Sequence, residues 1–258
     1  MAQTNSKFFS VMVVGDNPKA IMEDYNVNKK VEPYVKYKFL QAEKYKDAAI
    51  KVSQKLLDDA SLAMINPQMK QALEENLKRL KMLSTFEYYQ QLTSGMYYDK
   101  DGNALSDKNP NGKWKTAHIG RNFSLPLITK DGKEVYTAKN SDIDWERMHL
   151  ANQEVYRAAW EIVVEGREPQ DENEKKIYES MKDKDVYFSN FPDKESYVNY
   201  STAYWNFAYV DAESGWLDIN ETDEYNWINN FYQRFVSRLK PDDTISIYEC
   251  TINSDDDD

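Results

Sequence analysis

The stretch KFFSVMVV (residues 7–14), followed by Gly15-Asp16-Asn17-Pro18, decides the fold class. Strand alternation puts Phe9, Val11 and Val13 on one face and Phe8, Met12 and Val14 on the other. A strand apolar on both faces belongs in the interior of a sheet covered on both sides. Pro18 suits the first turn of a short helix that Asp16 or Asn17 would cap. At the far end of the chain, Thr244 to Ile252 reads as a closing strand. Thr202 to Val210 reads as another, with Trp205, Phe207 and Tyr209 alternating against Tyr204, Asn206 and Ala208. Ser214-Gly215 then turns into Trp216-Leu-Asp-Ile.

Helical patterns fill the space between. Val35, Phe39, Ala42, Ala49, Val52 and Leu56 keep helical spacing under a lysine-rich exterior. Gln68 to Leu83 carries Met69, Leu73, Leu77 and Leu80 on one stripe, and Ser84-Thr-Phe-Glu87 is a capping box that starts a further helix. Asp101-Gly102, Asn111-Gly112 and Asp131-Gly132 punctuate short β-prone runs. The clearest hairpin runs from Phe123 to Thr137, with Pro126 at an edge or bulge. Ser141-Asp-Ile-Asp144 opens a long helix that Gly166 stops, with helices after it over 171–182 and 223–239, the latter turning Ile228, Phe231, Phe235 and Leu239 inward.

Strands first, in the middle and last, with helices between, predict an α+β fold. Its mixed or antiparallel sheet contains both terminal strands and packs with a helical layer and a long central helix. The expected layout is one domain over 1–252: a helical block over 19–95, a hairpin region over 96–140, a long helix over 142–165, and an acidic tail over 253–258.

Charge is divided unevenly. Residues 1–135 hold 21 Lys+Arg and 16 Asp+Glu, whereas residues 136–258 hold 12 and 28, so the net −11 comes from the second half. Such asymmetry speaks to partners and encounter, not to fold. The chain has no run of 18 apolar residues, so no membrane span is expected. Val11 to Val14 read as a strand and not as a signal segment. The lone Cys250 cannot form an internal disulfide and points to a reducing, cytoplasmic setting.

Catalytic signatures are sparse. Gly15 lacks the second glycine and the Lys-Ser/Thr pair of a phosphate loop. The two histidines, His118 and His149, have no zinc-type spacing around them, and no metal or cofactor is expected. Glu146 and His149 lie one helical turn apart and are the candidates for an acid–base site, although packing against Trp145 also accounts for His149. Cys250 has no nearby cation to activate it. Lys113, Trp114, Lys115, His118 and Arg121 form the densest basic and aromatic run, the pattern of a nucleic-acid contact or of an ordinary edge strand. Trp205, Tyr209 and Trp216 are candidate interaction residues, since Tyr and Trp offer an apolar body with a polar tip.

The runs DIDWERMHLANQEVYRAAWEIVVEGREP (142–169), SKFFSVMVVGDNP (6–18), GKWKTAHIGRNFSLPL (112–127) and STAYWNFAYVD (201–211) resemble conserved proteins of crAss-like tailed phages that infect gut Bacteroidetes. That family carries no assigned activity, so no residue role transfers. The resemblance implies a phage product made in the bacterial host cytoplasm and virion-associated or host-directed. The leading expectation is a non-enzymatic accessory protein acting by contact with a phage or host protein, with its acidic C-terminal half and its Tyr/Trp-rich strands as the binding surface. The alternatives are three. One is an acidic DNA mimic directed at a host defence protein, which Lys175, Lys176, Lys182 and Lys184 interrupt. The others are an enzyme with a dispersed carboxylate/His site and a nucleic-acid binder through 113–121.

Overall fold

The computed structural model describes residues 6–58, 67–120, 122–150, 153–181 and 188–253. In chain order these form β1 (Ser6–Val14), α1 (Pro18–Glu23), β2 (Lys30–Tyr37), α2 (Ala42–Asp58), α3 (Pro67–Met82), α4 (Thr85–Leu92), β3 (Tyr97–Tyr98) and β4 (Ala104–Lys108). Next come β5 (Thr116–Ile119), β6 (Leu127–Ile128), β7 (Glu134–Val135), β8 (Thr137–Lys139), α5 (Trp145–Leu150), α6 (Gln153–Val163) and α7 (Glu172–Met181). The chain ends with α8 (Lys194–Thr202), β9 (Ala208–Asp211), β10 (Gly215–Asp218), α9 (Glu224–Arg234) and β11 (Thr244–Asn253). The fold is α+β, and contacts gather into two compact units: Met1–Lys29 with Pro110–Asp258, and Lys30–Asn109. No Pro-, Gly- or Ser-rich linker marks the passage between them.

In the first unit the two end strands pair antiparallel along their length, from Ser6↔Asn253 to Val14↔Ile245. β9 joins β1 in parallel and β10 adds to β9, while β5 and β8 both pair with the other side of β11. The two-faced pattern of 7–14 is realised. Met12 and Val14, with Ile245 and Ile247, pack under Trp227, Ile228, Phe231 and Phe235. Phe9, Val11 and Val13, with Val210, Tyr248 and Cys250, pack against Met22 and Trp114. Each such buried side chain is worth roughly 1.5–3 kcal/mol. Phe8 departs from the pattern and is 66% exposed, because it lies at the open end of its face, edge-on to Phe123.

Elsewhere the local signals are met with shifted boundaries. The hairpin forms as β6 and β7 around Asp131-Gly132. The helix expected over 142–165 is present as α5 and α6, with residues 151–152 outside the described residues. Residues 202–207, expected in a strand, are not in one: α8, capped by Asp193, runs through Thr202, and β9 begins only at Ala208. The acidic tail beyond Asn253 lies outside the described residues.

The second unit holds the sheet β2-β4-β3 with α2, α3 and α4. Val35 to Tyr37, expected to open a helix, belong to β2, where Val35 pairs with Leu105. α2 turns Ala42 and Ser53 inward and leaves Val52 and Leu56 exposed. Tyr89 organises this unit: its hydroxyl accepts from Ala104 N and shares its proton between the carbonyls of Tyr37 and Gly102.

Candidate binding groove

Three helices of the first unit surround a groove of about 420 Å³. α9 exists because Asp223 caps it, accepting from Asn226 N at 2.9 Å, and because Trp227, Ile228 and Phe231 bury one face. The same 3.6-residue period then places Tyr225, Asn229 and Tyr232 on a second stripe, with Asn226 and Asn230 beside it. α8 starts at the cap made by Asp193 to Ser196 N, 2.8 Å, and contributes Ser196 and Asn199. In α5, Asp144 accepts from Arg147 N at 2.9 Å, and the helix contributes Trp145 and His149. Tyr204, Ala203 and Ile228 complete the lining.

The chemistry of this lining is uniform. None of its twelve described residues is Asp, Glu, Lys or Arg, in a chain that is 30% charged. Aromatic rings and neutral polar tips dominate. Tyr225 is stacked on Tyr200 (centroids 5.7 Å apart, planes at 9°) yet 41% exposed. Tyr232 packs edge-on to Trp145 and is 38% exposed. Trp145 is fixed from behind by its Nε1–H donating to Asn140 Oδ1 at 2.8 Å. Asn229 and Asn230 donate from Nδ2 to the carbonyls of Tyr225 and Asn226, one turn earlier, so their orientation is set by the helix itself.

A second constellation centres on Glu249, which is 1% exposed on β11. Its Oε1 accepts from three successive backbone N–H groups, Asn122 (2.7 Å), Phe123 (2.8 Å) and Ser124 (2.9 Å), and from Ser124 Oγ (3.0 Å). Its Oε2 faces Asn122 Nδ2 and His118 Nε2, each at 3.1 Å. Burial opposes ionisation of this carboxyl, but the hydrogen bonds from the 122–124 loop outweigh it and draw the pKa down from 4.5 to about 2. Gly120 admits the loop: a β-carbon there would overlap Ser124 Oγ and come within 3.1 Å of Tyr136. The arrangement is a latch, in which a buried carboxylate satisfies a turn's orphan donors.

The candidates from the sequence are thereby dispersed. His149 lines the groove beside Trp145, while Glu146 is exposed on α5 and does not line it. Tyr209 is a core residue, stacked on Phe235 at 4.4 Å with its hydroxyl donating to Asp211. Trp205 is half-buried against the core around Met12, and Trp216 is half-buried between Phe9 and Tyr25, its Nε1–H donating to Asp218. Trp114 is buried and donates to the Met22 carbonyl, which removes its ring from any stacking role. Lys113 lies 3.8 Å from Asp218, Lys115 is half-buried, and His118 belongs to the Glu249 latch. Arg121 lies outside the described residues.

Among the described residues no three His, Cys, Asp or Glu side chains gather where a metal ion could be held, and no helix is long and apolar enough to cross a membrane. No family model, curated protein or solved structure matches this chain.

Proposed function

We propose that this chain is a non-enzymatic binding protein that recognises a protein partner through the groove between α5, α8 and α9. Following the resemblance to crAss-like phage proteins, it serves as a phage accessory protein in the host cytoplasm or on the virion, and its partner is a phage or host protein. The observation that carries the reading is the aromatic and amide lining of the groove, which holds no Asp, Glu, Lys or Arg among the described residues. No carboxylate joins His149 among the described lining residues to form an acid–base pair, and Glu146 of the same helix does not line the groove. Ser196 donates its backbone N–H to the capping Asp193, and no hydrogen bond links its hydroxyl to His149 among the described residues. Exposed Tyr and Trp are the residues that dominate binding energy at protein interfaces.

The DNA-mimic alternative needs carboxylates in rows on one face, and many are engaged otherwise. Arg167 holds Glu174 and Glu161, Lys194 holds Glu161 and Glu165, Asp193 and Asp223 cap helices, and Glu249 is buried. The nucleic-acid alternative loses its stacking ring with Trp114.

The test uses the whole chain to capture partners from phage-infected host extract, followed by reconstitution of the captured complex from purified proteins. Tyr225→Ala combined with Tyr232→Ala should weaken the reconstituted complex by more than about tenfold. Lys113→Ala with Lys115→Ala should leave it unchanged. Wild-type affinity in the folded double-tyrosine variant would refute the reading.

A further inference from the structure

The groove also indicates what kind of segment it accepts, an inference that rests on its being the recognition surface. We propose that it binds a proline-rich segment in the polyproline II conformation. Among the described residues the lining holds no Asp, Glu, Lys or Arg to pair with a charged ligand, and a neutral segment fits it. The donors left for it are specific. The hydroxyls of Tyr225 and Tyr232, the side-chain amide of Asn199 and the ring of His149 make no hydrogen bond to the described residues. A polyproline II segment presents this need in mirror image: its carbonyls have no internal partners, and its prolines bring no N–H that would require an acceptor.

Spacing agrees. Tyr225 and Tyr232 are seven residues apart on α9, about 10.5 Å along the axis at 1.5 Å per residue. One turn of polyproline II advances about 9 Å, so successive turns of the ligand meet successive tyrosine rings. Between the rings lies Asn229, and Trp145 extends the aromatic lining beside Tyr232, packed edge-on to it. Ring faces with hydrogen-bonding tips are how proline-rich segments are gripped in general, since a preformed ligand loses little conformational freedom on docking. The groove is equally prepared: Tyr225 is braced by Tyr200 and Trp145 by Asn140.

The experiment is a 15N heteronuclear NMR titration of the intact chain with a blocked decaproline peptide. A blocked Gly-Ser decapeptide and cellohexaose serve as comparators. Decaproline should move the signals of His149, Asn199, Tyr225, Asn229 and Tyr232 saturably, and the Gly-Ser peptide should not. Tyr232→Ala should weaken the decaproline affinity by about tenfold. Tyr232→Phe, which keeps the ring and loses only the donor, should weaken it less but measurably. Shifts absent with decaproline, shifts confined to residues outside the groove, or saturable groove shifts with cellohexaose in place of decaproline would overturn the inference. The two readings fail separately. Loss of the reconstituted partner in the double-tyrosine variant, without any decaproline binding, removes the polyproline assignment and leaves the groove as the recognition surface. Decaproline binding with the partner retained in that variant removes the proposed function instead.

Discussion

Replacing Glu249 by Gln tests the most heavily engaged charge among the described residues. The substitution keeps shape and one carbonyl oxygen for the N–H groups of residues 122–124, but puts an amide NH2 where Oε2 faces the Asn122 Nδ2 donor. The carboxyl is drawn from 4.5 to about 2 in the folded chain, which corresponds to about 3 kcal/mol. The sign follows from a depressed folded pKa: the stabilisation is complete above pH 4.5 and disappears as pH falls through 2. By linkage the wild-type advantage over Glu249→Gln is therefore about 3 kcal/mol at pH 7 and about 1 kcal/mol at pH 3. For a chain of this size the former lowers the melting temperature by on the order of 10 °C. Urea unfolding of both proteins at pH 7, 5, 4 and 3, followed by near-ultraviolet circular dichroism, measures the difference. Equal stability at pH 7, or a difference that does not shrink between pH 5 and 3, would refute the latch.

Gly120→Ala should destabilise by about 1–3 kcal/mol through overpacking against Ser124, and a double-mutant cycle with Glu249→Gln should show coupling above about 0.5 kcal/mol because both act on one loop; additive effects would contradict this. Cys250 is fully buried and its thiol is pushed well above the ordinary range, first by burial and then by neighbouring Glu249. Iodoacetamide at pH 8 should label it only at the rate of unfolding, and fast labelling in the absence of urea would count against the packing described for β11. Ser84→Ala removes the capping box with Glu87 and should cost about 1 kcal/mol, seen as faster amide exchange confined to residues 84–92; unchanged exchange there would argue against the cap.

What could be read in the chain was local. The double apolar face of 7–14, the capping box at Ser84, the turn at Asp131-Gly132 and the inward stripe of Ile228, Phe231 and Phe235 each express their structure within a few residues. β2 misled because Val35, Phe39 and Ala42 satisfy helical spacing, while the pairing of Val35 with Leu105 that makes 30–37 a strand comes from 70 residues away. The Glu249 latch joins positions 125 residues apart in sequence, and a single Glu beside Cys250 carries no local trace of the loop that closes on it. The groove is assembled from residues 145–149, 196–204 and 225–232, so only tertiary packing creates it. One signal is present: Tyr225, Asn229 and Tyr232 at i, i+4 and i+7, a neutral aromatic stripe flanking the apolar face of α9 at Ile228. Trp205, Tyr209 and Trp216 stand out by ring chemistry alone, which does not separate core from surface.

Recognition through the α5–α8–α9 groove is tested most directly by hydrogen–deuterium exchange on the reconstituted partner complex, compared with the chain alone. The account predicts that new protection falls on residues 145–149, 196–204 and 224–232, with β5 and the 30–109 unit unchanged. Protection on β5 or on residues 30–109, with the groove exchanging as in the unbound chain, would contradict it.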